Sequence, residues 1–386
     1  MSNFDEIVNR RGSGSIKWDV AENELPMWVA DMDFKAPKCV HDALLRRVEH
    51  GVYGYCSPDK EWGKAYASFY KDLYGWDLKP ADLVFTLGVV PVLSSSVRAL
   101  TEVGDQVVVC TPVYNIFFNS IVNSKRVPVE VPLLYKNGAY SLDFEGIETA
   151  FAQEKTKLCI FCNPHNPVGK IYAKDELTRL LELAKKHHVI VLSDEIHCPI
   201  TRPGHPYIPM LSLPGAEEIA YAAISPTKAF NLAGIHTAAV AIPNPEIRKK
   251  VERQLNTDEV AEPNVFSCVA STAAFNDGRE WLASMNEYVF SNRDYAEAFI
   301  AEKLPKLHAI HGDATYLLWV DCREVCDDSR KLLAFIREKT GLFLSCGEVY
   351  GKGGQGFVRI NLAAPRSVVE EGLKRLQYGV EEYLNA

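Results

Sequence analysis

The stretch "IAYAAISPTKAF" at residues 219–230 places an apolar run of strand length directly before a loop that contains Lys228. Similar apolar runs recur along the chain and alternate with longer helical patterns: "DLVFTLG" (82–88), "DQVVVCTPVY" (105–114), "KLCIFCNP" (157–164), "VIVLSDE" (189–195) and "HTAAVAIP" (236–243). Continuous apolar strands that alternate with amphipathic helices are typical of a parallel sheet covered on both faces. We therefore expect an α/β fold with a mainly parallel sheet.

The segment "KDELTRLLELAKKHH" (174–188) shows the clearest helical pattern between these runs. Acidic residues at its start and basic residues at its end suit the helix dipole. Its apolar residues share one face at helical spacing: Leu177, Leu180, Leu181 and Ala184. We predict an amphipathic helix here.

The pattern changes near residue 280, where a long helical segment is followed by strand-like "ATYLLWVD", a helix around "SRKLLAFIREKTG" and strand-like "GFVRINLA". This order of helix, strand, helix, strand predicts a smaller α+β domain appended to the first. We therefore divide the chain into an N-terminal segment associated with the small domain (1–45), a large domain (46–280) and a small C-terminal domain (281–386).

Composition excludes several classes of function. The 386 residues are 47% hydrophobic and 24% charged, and 42 basic against 50 acidic residues give a net charge of −8. No long Lys/Arg block occurs, so a nucleic-acid partner is not expected. No window approaches the roughly 18 apolar residues of a membrane helix, and no metal-binding spacing of Cys and His occurs. We expect a cytoplasmic protein with reduced cysteines and no metal.

Residues that offer polar side chains or free backbone N–H groups follow the apolar runs, at the point where each predicted strand ends. Because the carboxyl ends of parallel strands meet at one edge of a sheet, these residues are expected to lie together. The set comprises Val89 and Val90 at the start of a helix, then Tyr114, Asn166, Asp194, His197, Ser225, Thr227 and Lys228.

Each member of this set also has an ordinary structural interpretation. Asp194 could cap a helix, Tyr114 could pack as an aromatic, Asn166 could form a turn, and Lys228 could be a solvated loop residue. Together, however, a helix N-terminus, an aromatic plate, a carboxylate, an amide and a lysine amine are the groups needed to bind pyridoxal 5′-phosphate (PLP).

The sequence resembles the PLP-dependent enzymes of aminotransferase fold type I, and among them the cystathionine β-lyase-like C-S lyases. Motifs spanning nearly the whole chain carry the resemblance: "GSIKWD" (14–19), "WVADMDF" (28–34), "YGY" (53–55), "GVVP" (88–91), "PVY" (112–114), "NPHNPVGK" (163–170), "SDEIH" (193–197), "SPTKAFNLAG" (225–234) and "VRINLAAPR" (358–366).

The resemblance implies a role for each residue that surrounds the cofactor ring. Lys228 would bond covalently to the cofactor aldehyde, and Asp194 would pair with the pyridine nitrogen. Tyr114 would stack on the ring, while Asn166 and His197 would hydrogen-bond its phenolic oxygen.

The resemblance also implies how phosphate and substrate are held. The backbone N–H groups of Val89 and Val90 would bind the phosphate, together with the hydroxyl-bearing residues Ser225, Thr227 and Tyr55. Tyr55 would reach in from a second subunit, because active sites of the family lie at a homodimer interface.

Substrate recognition is the remaining implied task. Arg359 would clamp the substrate α-carboxylate through its bidentate guanidinium. Trp28, in "WVADMDF", would line the substrate entrance, with Tyr55 and Asn166 also contacting the substrate.

Two histidines depart from the aminotransferase pattern. His197 replaces a frequent tyrosine, as the C-S lyases have it, and His236 stands where many members have a phosphate-binding arginine. For His236 we retain two interpretations, a phosphate contact and a hydrogen-bonded core histidine at a strand start.

The resemblance implies β-elimination from L-cystathionine or related S-substituted cysteines, with release of a thiol, pyruvate and ammonia. Two alternatives stay open at this point. One is a class I/II aminotransferase, which shares the early steps, and the other is a lyase with a second, regulatory protein-binding role.

Overall fold

The structure is a computed structural model that describes residues 3–386. Eleven α-helices form within these residues: α1 Lys38–His50, α2 Lys60–Tyr74, α3 Val89–Leu100, α4 Ile116–Asn123, α5 Phe144–Phe151, α6 Lys174–His187, α7 Pro245–Thr257, α8 Ser267–Asp277, α9 Arg279–Lys303, α10 Ser329–Thr340 and α11 Arg366–Asn385.

Fifteen β-strands form within the same residues: β1 Leu25–Pro26, β2 Leu83–Thr86, β3 Gln106–Thr111, β4 Val127–Pro132, β5 Leu134–Lys136, β6 Ala139–Ser141, β7 Thr156–Cys162, β8 Ile190–Asp194, β9 Ala220–Ile224, β10 Ala238–Ala241, β11 His308–Ile310, β12 Leu317–Asp321, β13 Leu342–Phe343, β14 Ser345–Cys346 and β15 Phe357–Asn361.

Seven strands form the large sheet in the order β2-β10-β9-β8-β7-β3-β4. Strand β10 runs antiparallel to its neighbours β2 and β9, whereas the remaining neighbouring pairs are parallel. The predicted α/β fold with a mainly parallel sheet is confirmed. The reversal of β10 was not predicted, because its apolar run looks like those of the parallel strands.

Both faces of the large sheet are buried. Along β3, Val107 and Val109 pack in the same apolar cluster as residues of α3 and α4, whereas Val108 and Cys110 pack with residues of α5 and α6. Adjacent strand residues thus face opposite helical layers, as the two-residue period of a strand requires.

A smaller antiparallel sheet has the order β11-β12-β15-β14 and packs with α9, α10 and α11. Strand β1 pairs in parallel with β13 through Leu25 and Leu342, which places part of the N-terminal segment beside α10. The boundaries at residues 45 and 280 stay predictions. Among residues 3–386, no helix combines the length and apolarity needed to cross a bilayer.

Two glycines allow a close backbone approach next to β15. A methyl group on Gly347 would lie 2.0 Å from the carbonyl oxygen of Gly354 and 2.5 Å from that of Phe357. Both opposing atoms belong to the backbone and cannot rotate away. Only glycine therefore fits at position 347. The close contact that it allows holds the backbone beside the start of β15, the strand that carries Arg359.

We expect Gly347→Ala to lower the free energy of unfolding by about 3 kcal/mol, because the added methyl group overlaps backbone atoms. Gly234→Ala is the matched control, since a methyl group there meets nothing within 4 Å. Urea unfolding of both variants measures the difference. Equal stability of the two variants would contradict the assigned packing.

Candidate active site

A cavity of about 300 Å³ lies at the edge of the large sheet where the parallel strands end. Its lining brings together residues from well-separated parts of the chain: Ala30, Leu87, Gly88, Val89, Val90, Pro91, Leu93, Tyr114, Cys162, Asn166, Asp194, Ile196, His197, Thr227, Lys228, Ala233 and His236. Eight of these residues were predicted from the sequence to form the cofactor site: Val89, Val90, Tyr114, Asn166, Asp194, His197, Thr227 and Lys228.

Lys228 follows β9 and extends into this cavity. Its Nζ donates a hydrogen bond to the backbone carbonyl of Ala30. Burial, the larger cause, and the positive charge of Arg359 together lower the pKa of Lys228 to about 8, while Asp31 and Asp194 oppose the change. Near neutral pH the amine can therefore give up its proton more readily than an exposed lysine.

Asp194 ends β8 and is only 3% exposed. The backbone N–H of Ile196 donates to Oδ1 at 3.1 Å. Burial raises the pKa of Asp194 to about 7, because a carboxylate loses its hydration there. A cation placed in the cavity next to this carboxyl would favour its charged form.

Arg359 lies on β15 of the small sheet and reaches the rim of the site. One guanidinium NH2 group donates to the side-chain oxygen of Asn166 at 3.2 Å, and the other donates to the carbonyl of Trp28 at 2.9 Å. Its Nε has no hydrogen-bond partner among residues 3–386 although it is buried. The guanidinium also lies over the ring of Tyr350 at 5.1 Å.

His197 is buried and neutral. Burial lowers its pKa well below the ordinary value, and the positive charges of Lys228 and Arg359 act in the same direction. Its Nδ1 has no partner among the described residues, and its ring packs edge-on to Tyr316 with centroids 6.1 Å apart. His197 is also among the residues that line the cavity.

The first turn of α3 presents backbone donors to the cavity. Gly88 stands at the N-cap position and has no side chain that could accept from the N–H groups of Val89 and Val90. An anion at this end of the helix would be favoured by these donors and by the helix dipole.

A second buried histidine fixes the two loops that carry Tyr114 and Asn166. His165 Nε2 donates to the carbonyl of Pro112 at 2.8 Å, and the hydroxyl of Tyr172 donates to Nδ1 at 2.8 Å. Burial lowers its pKa to about 4, so the ring stays neutral and keeps this tautomer. His165 was not among the residues predicted to form the site, although it lies within "NPHNPVGK" (163–170).

Four predicted residues do not line the cavity of this chain, namely Arg359, which contacts the lining residue Asn166, and Ser225, Trp28 and Tyr55. Ser225 contacts the Thr227 hydroxyl at 2.7 Å and donates to the carbonyl of Thr237, so its oxygen lies behind Thr227. Trp28 stacks on Phe343 with centroids 4.9 Å apart. Tyr55 is fully exposed on the surface.

His236 does line the cavity, and it is exposed. The interpretation of His236 as a core histidine is therefore wrong. The physical reason is the direction of β10: because this strand is antiparallel to β9, its amino end lies at the edge where the parallel strands have their carboxyl ends. The apolar pattern of residues 236–243 does not indicate that reversal.

The chain resembles known proteins over nearly its whole length. It is 38% identical to the cystathionine beta-lyase PatB of Bacillus subtilis over 97% of this chain and 99% of that protein. Cystalysin from Treponema denticola, whose crystal structure contains pyridoxal 5′-phosphate, has a TM-score of 0.96 at 31% identity and 99% coverage of both chains.

A PLP-bound putative aminotransferase from Clostridium difficile has a TM-score of 0.95 at 37% identity, covering 98% of this chain and 100% of that one. The family model for aminotransferase class I and II matches residues 22–376. That match covers most of the chain, and the protein belongs to the aminotransferase class I and II family.

Proposed function

We propose that this protein is a PLP-dependent carbon–sulfur β-lyase that cleaves L-cystathionine or related S-substituted cysteines to a thiol, pyruvate and ammonia. The observation that carries the proposal is that Lys228 and Asp194 line one cavity and that Arg359 donates a hydrogen bond to Asn166 of the same lining. The 38% identity to a cystathionine beta-lyase over 97% of the chain supports the choice of reaction. We also propose a cytoplasmic location.

The residues around the cavity fit PLP chemically. The Asp194 carboxyl has a raised pKa because it is buried, and a protonated ring nitrogen is the cation that would stabilise its charged form. The uncapped first turn of α3 offers donors for a phosphate, and the unpartnered His197 Nδ1 can contact a phenolic oxygen.

When bound, PLP supplies an aldehyde that condenses with amines and a ring that accepts electrons from the substrate α-carbon. Lys228 would hold the cofactor covalently through Nζ, and the same amine, when free, would take the α-proton of the substrate. The electron pair of the Cα–H bond would then form a Cα–Cβ double bond as the Cβ–S bond breaks and the thiolate leaves. The lowered pKa of Lys228 keeps a fraction of its amine unprotonated for this step.

The remaining contacts orient the cofactor. Tyr114 would cover one face of the ring, and Asn166 and His197 would contact its phenolic oxygen. Val89 and Val90 would hold the phosphate by their backbone N–H groups, with Thr227 contributing its hydroxyl. The hydroxyl of Ser225 supports Thr227 at 2.7 Å and contributes to the phosphate site through it.

Arg359 binds the substrate α-carboxylate. Its guanidinium is buried, is held from two sides and keeps an unpartnered Nε. A buried charged donor of this kind gains a charge-assisted hydrogen bond when a carboxylate arrives. Trp28 contributes through its carbonyl, which orients the guanidinium.

The functional unit is a homodimer. Residues 51–57 are exposed in the single chain, including Val52 at 64%, Tyr53 at 56% and Tyr55 at 103% of full exposure. Covering these side chains with a second copy removes apolar surface from water. In that assembly Tyr55 contributes its hydroxyl to the phosphate site of the partner subunit.

Pyruvate release from L-cystathionine by cofactor-loaded protein, without a keto-acid acceptor, tests the reaction. We expect pyruvate and free thiol in equal amounts. Lys228→Ala should reduce turnover by at least about 1,000-fold, because the proton acceptor is lost. A normal cofactor spectrum without pyruvate would overturn the lyase proposal in favour of an aminotransferase, which requires an acceptor.

Arg359→Ala should raise KM by roughly 30-fold, corresponding to the loss of about 2 kcal/mol from a charge-assisted hydrogen bond. Arg359→Lys keeps the charge without the bidentate geometry, so an intermediate KM is expected. Steady-state kinetics over a range of L-cystathionine concentrations measures both. An unchanged KM in Arg359→Ala would assign carboxylate binding to another residue.

Asp194→Asn should stabilise the cofactor-free protein at alkaline pH. The folded-state pKa of Asp194 is raised to about 7 from 3.8, so its ionisation destabilises the fold as pH rises between these values. The stability gain of the variant should therefore grow by about 2 kcal/mol between pH 5 and pH 8.

Urea unfolding at the two pH values measures this gain, and the smaller difference at pH 5 is the internal control. The same variant should bind PLP more weakly, because its amide cannot neutralise a protonated ring nitrogen. A pH-independent stability difference would contradict the buried-carboxyl assignment.

A further inference from the structure

The backbone of residues 28–31 accepts side-chain hydrogen bonds at four consecutive carbonyls. Arg359 donates to Trp28 O at 2.9 Å, and Asn361 Nδ2 donates to Val29 O at 2.6 Å and to Asp31 O at 2.6 Å. The Ala30 carbonyl accepts from Lys228 Nζ and, at 3.0 Å, from a second donor, the hydroxyl of Tyr316.

These carbonyls alternate in direction. Those of Trp28 and Ala30 contact Arg359 and Lys228, whereas those on either side of Ala30 both contact the same amide group of Asn361. The segment therefore contacts two residues with proposed roles. Trp28 O contacts Arg359, the proposed carboxylate-binding residue, and Ala30 O, two positions later, contacts Lys228, the proposed proton acceptor.

An ion-pair cluster anchors the segment and the residues that directly follow it. Asp33 Oδ2 lies 2.7 Å from Nζ of the buried Lys17, and its Oδ1 lies 2.8 Å from Arg10. Arg10 also pairs with Asp31 at 2.8 Å. Charges paired this closely and largely buried restrict movement of the backbone that carries them.

Asn231, three residues after Lys228, connects the lysine loop to residues 32–34, which directly follow the segment 28–31. Its side-chain oxygen accepts from Met32 N at 3.1 Å, and its Nδ2 donates to the carbonyls of Met32 and Phe34 at 3.0 and 2.8 Å. The loop that carries Lys228 and residues 28–34 thus form one hydrogen-bonded unit.

We propose that residues 28–31 are a positioning segment that sets the Lys228 amine relative to the Arg359 guanidinium, and that Tyr316 positions the released amine through the Ala30 carbonyl. The proposal deepens the proposed function and rests on it for the catalytic meaning of Lys228. Such a segment is needed because Lys228 follows β9 of the large sheet while Arg359 lies on β15 of the small sheet.

The Ala30 carbonyl can do two things for the released amine. By accepting one N–H of Lys228, it directs the nitrogen lone pair away from itself, so the lone pair is free for the substrate α-proton. By accepting from Tyr316 as well, it binds the ammonium form of Lys228 less strongly than an unshared carbonyl would. Arg359, Asp31, Asp194 and His197 are the other charged or titratable groups around this nitrogen.

Tyr316→Phe tests the proposal, because it removes the hydroxyl and keeps the ring. In cofactor-loaded protein we expect kcat to fall about tenfold, KM to stay within about twofold, and the deuterium isotope effect with α-deuterated substrate to rise. In the cofactor-free full chain, competitive acetylation followed by mass spectrometry should show the pKa of Lys228 raised by about half a pH unit.

Tyr74→Phe is the matched control, since its hydroxyl also donates to a backbone carbonyl, that of Cys198, and neither residue lines the cavity that contains Lys228. It should leave kcat, the isotope effect and the pKa of Lys228 unchanged. If Tyr316→Phe behaves like this control, the positioning role is overturned.

Asn361→Ala is the second variant. Because Asn361 holds the segment on both sides of Ala30, its loss should displace both contacts, so KM should rise and kcat should fall together. A change in kcat alone, as in Tyr316→Phe, would restrict the positioning role to Lys228 and overturn the assignment for Arg359. The acetylation result does not depend on which reaction is catalysed, so it separates failure of this proposal from failure of the lyase proposal.

Discussion

The burial of opposite charges at one edge of the large sheet is the constraint on which the site depends. Lys228 and Asp194 each follow an apolar strand and lie where water is largely excluded, so the pKa of the lysine falls to about 8 and that of the aspartate rises to about 7. Burial of both groups without a ligand is unfavourable. A cofactor that bonds to the amine and carries a positive ring nitrogen would relieve both costs at once.

The architecture supports this edge from two sides. The helices on both faces bury strands such as β3 and hold their carboxyl ends in register. The small sheet contributes Arg359 from the opposite side, and Gly347 allows the backbone around β14 and β15 to pack closely there. Residues 28–34 connect the two regions by hydrogen bonds to the lysine loop and to β15.

Two neutral histidines contribute to the site alongside its charged residues. Burial keeps both His165 and His197 neutral. His165 links two loops by hydrogen bonds, and His197 lines the cavity. Neutral imidazoles leave the charges of Lys228, Asp194, Arg359 and Asp31 to determine the electrostatics around the lysine amine. The first three have roles in the proposed chemistry, and Asp31 belongs to the segment 28–31.

The parallel sheet, helix α6 and the main polar residues of the cavity could be predicted from the sequence alone. Apolar runs specify buried strands, and the residue after a parallel strand must lie at the shared edge; Tyr114, Asn166, Asp194 and Lys228 follow from that rule. The direction of β10 and the long-range contacts of the site became apparent only from the tertiary structure. The reversal of β10 brought His236 to the cavity, and contacts across about 200 residues or more joined Ala30 to Lys228 and Tyr316. Local sequence patterns record burial and periodicity, whereas strand direction and the partner of a backbone carbonyl depend on the packing of distant segments.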